Sequence, residues 1–359
     1  MAYSAGISAK GFNAAKAWLG HVSGGLAIAA VTACGAFATV SGSAIATSAT
    51  ISKIAVPELL KAGYKKPLAG ASVAVGGTLG VLIPPSTIMV IYSIATETPI
   101  PKLFVAGIIP GILTILVYGL GIWLLVKRDP DMSRLTVQPR VPMRQRLKIT
   151  LSSWEILVIF VVVMGSLYSG IATASEAAGF GAFIALAIAL YRGASLKEIK
   201  HGLQASGSST AAIFFLIIGA GVFSAALATT QLPTTIASWT LGLDLSPTVL
   251  LIILLIPFLI LGCFVDAASM ILLTMPVIFP IVKQSGIDPV LFGILVVKMS
   301  EIGGITPPVG LNAFVVATAS PQIKVREVFQ GVMPFFLMDL FIVGLLIAFP
   351  QIALFPLGN

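Results

Sequence analysis

The sequence predicts an all-α polytopic membrane protein made of two inverted-topology repeats, each carrying a re-entrant helical hairpin and a discontinuous transmembrane helix. Three observations predict it. Of 359 residues, 57% are hydrophobic and only 9% charged, with a mean hydropathy of +1.05, whereas soluble domains average about 25% charged residues. Apolar segments of spanning length recur along the chain. Two of them are interrupted in matching places, at Gly76-Gly77-Thr78-Leu79-Gly80-Val81-Leu82-Ile83-Pro84-Pro85-Ser86 and at Gly303-Gly304-Ile305-Thr306-Pro307-Pro308-Val309-Gly310.

A bilayer core of about 30 Å needs about 17 to 25 apolar residues per helix. Such segments lie near 23–40, 68–97, 104–126, 154–171, 175–192, 207–227, 248–264, 289–320 and 331–350. Met1 to Gly20 has no continuous apolar core and no evident cleavage site, so it is not a cleavable signal.

The net charge of +8 would suggest a nucleic-acid partner in a soluble chain, but here the position of the charges decides. Lys127, Arg128, Arg134, Arg140, Arg144, Arg146 and Lys148 fall in one polar linker, which the positive-inside bias puts in the cytoplasm. Counting crossings outward places Lys61, Lys65, Lys66, Arg192, Lys197, Lys200, Lys324 and Arg326 on the same side, with Lys102 and Lys283 outside. Lipid surrounds the chain, and no nucleic acid is expected. Cys34 and Cys263 sit in apolar helices and imply neither a disulfide nor a metal site. His21 and His201 have no second ligand near them in sequence, so no transition metal is expected.

An offset of about 223 residues pairs Pro57 with Pro280, Gly63 with Gly286, Pro84 with Pro307, Pro85 with Pro308, Gly107 with Gly331 and Pro110 with Pro334. Unbroken order at nearly constant offset is the mark of duplication. The first unit, 1–126, has an amphipathic arm (8–20), a hairpin (23–62), a broken helix (67–97) and a helix (104–126). A basic cytoplasmic linker, 127–150, joins it to the second unit, 151–359. That unit has scaffold helices (154–227), an arm (231–244), a hairpin (247–284), a broken helix (289–320) and a helix (331–350). Lys61 to Lys66 closes the first hairpin on the cytoplasmic side and Lys283 closes the second outside, so the copies are inverted. Residues from about 150 to 224 have no counterpart before the first arm, which leads to the expectation that about 70 residues of the parent N-terminus are missing here.

Limbs of roughly 16 residues reach about the midplane and return at 1.5 Å per residue. The first tip is Ser41-Gly42-Ser43 and the second carries Asp266. Two tips and two breaks can then meet at one depth, where helix N-termini suit an anion and unwound carbonyls suit a cation. No polar stripe runs through a complete span, which argues against a channel. Two unpaired histidines without an intramembrane HExxH argue against an intramembrane enzyme.

The run Thr39 to Thr47, the segment Gly76 to Ser86 and the segment Glu301 to Asn312 resemble the large (DctM-like) membrane subunit of tripartite ATP-independent periplasmic (TRAP) transporters. The likeness covers nearly the whole chain. Ala172-Thr173-Ala174-Ser175-Glu176-Ala177-Ala178 matches a family motif without its usual proline. The resemblance implies an elevator-type permease of the bacterial inner membrane that imports small organic anions with sodium, without a cofactor. Its implied partners are a small four-helix membrane subunit and a periplasmic substrate-binding protein. A sodium/divalent-anion symporter working without a binding protein is the alternative.

On that footing Ser41, Gly42, Ser43, Gly76, Gly77 and Thr78 are assigned to one sodium site, because hard cations take oxygen ligands. Asp266, Gly303, Gly304 and Thr306 form the symmetric second site, with N-capping as the plainer role for Asp266. Pro84, Pro85, Pro307 and Pro308 break the helices. Thr47, Ser86, Lys298 and Asn312 are substrate candidates, with Lys53 a weaker one, although Lys298 and Glu301 stand at helical pairing distance. Asp339 is expected to contact another subunit.

Overall fold

The structure is a computed structural model that describes residues 7–135 and 137–358, and among these every regular element is helical. The first part of the chain forms α1 (Ile7–Leu19), α2 (Gly25–Ser41), α3 (Ala44–Lys61), α4 (Lys66–Leu82), α5 (Thr87–Thr96) and α6 (Ile100–Lys127). The basic segment folds into two short helices, α7 (Pro130–Leu135) and α8 (Met143–Leu151), before α9 (Trp154–Tyr168), α10 (Ala174–Tyr191) and α11 (Leu196–Thr229). Next come α12 (Leu232–Leu241), α13 (Pro247–Gly262), α14 (Ala267–Gln284), α15 (Pro289–Ile305), α16 (Leu311–Ala319), α17 (Val325–Ala348) and α18 (Gln351–Leu354).

Polar caps mark the starts of these apolar helices. Ser43 accepts from Ala46 N at 3.3 Å at the head of α3, and Ser86 accepts from Met89 N at 3.3 Å at the head of α5. Asp266 and Asp288 cap α14 and α15. Each satisfies backbone donors that an apolar surrounding cannot. Pro84-Pro85 and Pro307-Pro308 remove backbone donors and end α4 and α15 just before them. The α4–α5 pair bends by 42° across its break.

Two helices form the centre. In α4 the side chains are buried from Leu68 to Leu82, and in α15 they are buried from Val290 to Ile305 apart from Gly304. A helix apolar on every face belongs in a packed interior. One core cluster joins α1, α2 and α3 to α4, α6, α16 and α17. The other joins α5, α6, α9 and α10 to α13, α14, α15 and α17. By contrast α11 buries none of its 34 residues and exposes Phe214, Phe215, Ile218 and Val222. Such a surface suits hydrocarbon. The apolar stretch 207–227 is thus the second part of one long helix that already begins at Leu196.

Among the described residues, five helices (α6, α10, α11, α14 and α17) are long and apolar enough to cross a membrane, or up to seven if the bent pairs α4–α5 and α8–α9 count as single spans. Ion pairs tie together ends that the charge pattern places in the cytoplasm. Lys65 pairs with Asp129, Lys66 with Glu327 at 3.8 Å, and Lys16 with Glu58 at 2.7 Å. Glu155, at the start of α9, receives both Lys10 of α1 and Arg192 after α10.

Candidate functional site

The turn between α2 and α3, the turn between α13 and α14, and the helix ends flanking both proline breaks converge on one cavity of about 110 Å³. Ser43, Ala44 and Ile45 enter it from the first turn, and Val265, Asp266 and Ala267 from the second. The broken helices contribute Thr78 and Val81 of α4, Thr87 and Ile88 of α5, Ser300, Glu301 and Gly304 of α15, and Leu311 and Asn312 of α16. Four helix N-termini, those of α3, α5, α14 and α16, therefore open on the same space. Their partial positive charge favours an anion there.

Close backbone approach brings these pieces together. A Cβ on Gly80 would lie 2.8 Å from the Ser43 carbonyl carbon, and one on Gly303 would lie 2.5 Å from the Gly262 Cα. Only glycine lets each broken helix lie this near its turn. Gly42 adopts φ 59°, a left-handed conformation that glycine tolerates freely. Its carbonyl accepts the Thr87 hydroxyl at 2.8 Å, binding the first turn to the head of α5.

Of the assigned sodium residues, Ser43, Thr78, Asp266 and Gly304 line the cavity, and so does Asn312 from the substrate candidates. The others lie outside its lining. Ser41 shares a hydrogen bond with Thr47 at 2.7 Å, and Thr47 is wholly buried. Gly76 packs on Cys34 and Val31, and Gly77 faces Ser48 so closely that a Cβ would overlap that side chain. The Thr306 hydroxyl donates to the Ile302 carbonyl at 2.5 Å. Together with Pro307 it borders a separate hollow beside Phe329 and Phe336. Ser86 donates to the Val81 carbonyl at 2.5 Å as it caps α5. Asp266 is a full cap, accepting from Ala268 N at 3.0 Å, Ser269 N at 3.2 Å and the Ser269 hydroxyl at 2.5 Å.

Lys298 is fully buried and committed to protein partners. Its ammonium lies 2.9 Å from Glu301 Oε2 and 2.8 Å from Asp339 Oδ1. It is not part of the cavity lining. The Tyr118 hydroxyl donates to Asp339 as well, at 2.6 and 2.7 Å to its two oxygens. Asp339 is thus not a subunit contact. It is 0% exposed, and burial forces it to take the nearest cation, on α15. Lys53 is exposed on α3.

A second hollow of about 320 Å³ adjoins the first through Thr87. Ser41, Gly42, Pro85 and Ser86 form one wall, and Ile159, Val163, Ala177 and Gly181 of α9 and α10 form the other. Its size suits a small organic molecule. The central cavity is nearer to the volume of ions and a few waters. Sequence reading missed Thr87 and Ser300, and took Glu301 only as the partner of Lys298. The signal for Glu301 was available in the offset: about 223 residues separates it from Thr78.

Residues 1–352 match the family described as the DctM component of tripartite ATP-independent periplasmic transporters. Among curated relatives, the C4-dicarboxylate TRAP transporter large permease protein DctM of Pseudomonas aeruginosa is 41% identical over 319 residues, 88% of this chain and 73% of that protein. The ectoine/5-hydroxyectoine TRAP transporter large permease protein UehC of Ruegeria pomeroyi is 35% identical over 96% of this chain and 79% of its own length. The sialic acid TRAP transporter large permease protein SiaM of Vibrio cholerae is 32% identical over 98% and 82%.

Proposed function

We propose that this chain, which belongs to the DctM family of TRAP transporter large permeases, couples the inward movement of sodium to uptake of a small organic anion. The family makes it an inner-membrane transport protein and not an enzyme. The observation that carries the coupling is the meeting of both turns and of the helix ends beside both breaks at one cavity. The N-terminus of α5, whose Ser86 and Thr87 border the wider hollow, supplies attraction for a carboxylate there, while carbonyls at the ends of the broken helices and the hydroxyls of Ser43 and Thr78 supply oxygens for a hard cation in the central cavity.

In this reading the ions take the central cavity and the solute takes the wider hollow beside it, between the first turn and α9–α10. The two halves, each a turn followed by a broken helix, act as inverted repeats. They move together as an elevator against α9, α10 and α11. The relatives named for C4-dicarboxylates, ectoines and sialic acid support an organic acid or zwitterion as solute. A small membrane subunit and a periplasmic binding protein complete the system. The test is uptake of a candidate organic acid by proteoliposomes holding the chain and both partners. Uptake is expected only with an inward sodium gradient, and uptake indifferent to sodium overturns the reading.

A further inference from the structure

Two pairs of positions face the central cavity at the spacing that separates Pro84 from Pro307. Ser43 and Asp266 head α3 and α14, while Thr78 and Glu301 lie in α4 and α15. The first member of each pair is a neutral hydroxyl and the second is a carboxylate. The cavity is therefore electrostatically lopsided.

The two carboxylates are not equally satisfied. Asp266 accepts three hydrogen bonds from its own helix turn. Glu301 accepts from Lys298 at Oε2, but its other oxygen, Oε1, is buried without any hydrogen-bond partner, and the side chain is 0% exposed. Lys298 does not cancel the charge, because the same ammonium also serves Asp339. Tyr118 gives Asp339 a hydrogen bond but no charge. The buried group of Lys298, Glu301 and Asp339 thus joins one cation to two carboxylates.

Helix N-termini do not make up the difference. A terminus contributes about 0.3–1 kcal/mol to a nearby charge, rising to about 2 in buried geometries. An uncompensated buried ion costs several kcal/mol. No backbone N–H reaches Glu301 Oε1. What the position lacks is a positive charge small enough for a cavity of about 110 Å³.

We propose that Glu301 Oε1 is the charged ligand of a sodium ion in the central cavity, so that the second half holds sodium more tightly than the first. The inference rests on the sodium-coupled reading above and assigns its sites unequal strength. Sodium at Glu301 binds first. It screens carboxylates that would otherwise repel an arriving organic anion, and the neutral site around Ser43 and Thr78 fills once that anion adds its own charge.

The test titrates the purified full chain in nanodiscs with sodium chloride against choline chloride at constant ionic strength, following the thermal midpoint. Glu301→Gln keeps the side-chain shape and removes the charge. It is expected to weaken the sodium-dependent stabilisation by on the order of tenfold or more, with Thr78→Val weakening it less. Equal sodium response in Glu301→Gln and wild type overturns the proposal, as does a larger loss from Thr78→Val. If Glu301→Gln does not fold, Glu301→Asp is measured instead; it keeps the charge and withdraws the oxygens, so weakened sodium response supports the assignment and unchanged response overturns it. A wild type that does not respond to sodium at all refutes the coupling reading itself, a separate result from a wild type that responds and a variant that matches it.

Discussion

Replacing Lys298 with methionine tests the buried charge group most directly, since methionine keeps much of the volume and removes the cation that pairs with both carboxylates. Lys298 holds Glu301 at 2.9 Å and Asp339 at 2.8 Å, and all three side chains are 0% exposed. At an effective dielectric of about 20, each contact carries roughly 5–6 kcal/mol of attraction before desolvation. The net cost of removing one partner from a buried pair is about 3–5 kcal/mol. Lys298→Met strands two carboxylates at once, so the loss is expected at or above the upper end of that range. Against a total stability of about 5–15 kcal/mol, such a loss removes about a third of the stability or more. Asp339→Asn is the contrasting change. It keeps the Lys298–Glu301 pair and the Tyr118 contact while removing one excess negative charge, and it should cost less than about 2 kcal/mol. The assay is membrane yield and the midpoint of heat-induced loss of the monodisperse peak in detergent. A Lys298→Met midpoint equal to or above that of Asp339→Asn would refute the charge reasoning.

Three further outcomes follow from the geometry. Gly303→Ala puts a Cβ within 2.5 Å of the Gly262 Cα and must part α13 from α15, costing about 1–3 kcal/mol, whereas Gly304→Ala meets only Asn312 Nδ2 at 3.7 Å. Yield in membranes should fall for the first and hold for the second. Asp266→Asn retains a good N-cap and removes the charge, so folding should persist while sodium dependence of uptake weakens; unchanged dependence reduces Asp266 to a cap. At the edge that the charge pattern assigns to the cytoplasm, the hydrogen bond and charge of Lys65 hold the Asp129 carboxyl below the ordinary carboxylate range, and Asp129 holds Lys65 above the ordinary lysine range. The lowered carboxyl contributes above its unfolded pKa and is lost as pH falls through the lowered value; the raised ammonium contributes below its unfolded pKa and is lost as pH rises through the raised value. Asp129→Asn should therefore shift the thermal midpoint by the same small amount at about pH 6 and about pH 8.

Much of the site could be read along the chain because its parts announce themselves locally. A Pro-Pro pair in an apolar run ends a helix whatever surrounds it, and the interruptions at 83–86 and 306–310 follow from that alone. Asp266 was legible as a cap for the same local reason, whereas the cap that Ser43 gives α3 emerged from the structure. The partners of Lys298 were not. Glu301 is three residues away on the same helix, but Asp339 lies on α17 and Tyr118 on α6, and nothing in either helix's sequence states that they share a face of α15. Asp339, isolated in an apolar segment, looked like a group awaiting another subunit.

Composition and periodicity determine the class of this protein: with so little charge and so many apolar segments of spanning length, the chain has no soluble way to bury its surface. Prolines, glycines and capping residues determine where its helices stop, since those effects act within one turn of the chain. Tertiary structure alone decides which glycines serve close packing and which face the cavity. Gly77 and Gly303 are pressed against neighbouring chain, while Gly304, next along, borders open space. It also decides that one buried lysine answers two carboxylates and leaves an oxygen of Glu301 without a partner. Helical spacing relates residues three or four apart, but charge balance in a low-dielectric interior depends on every ion within a few ångströms, and that neighbourhood exists only once distant segments have packed.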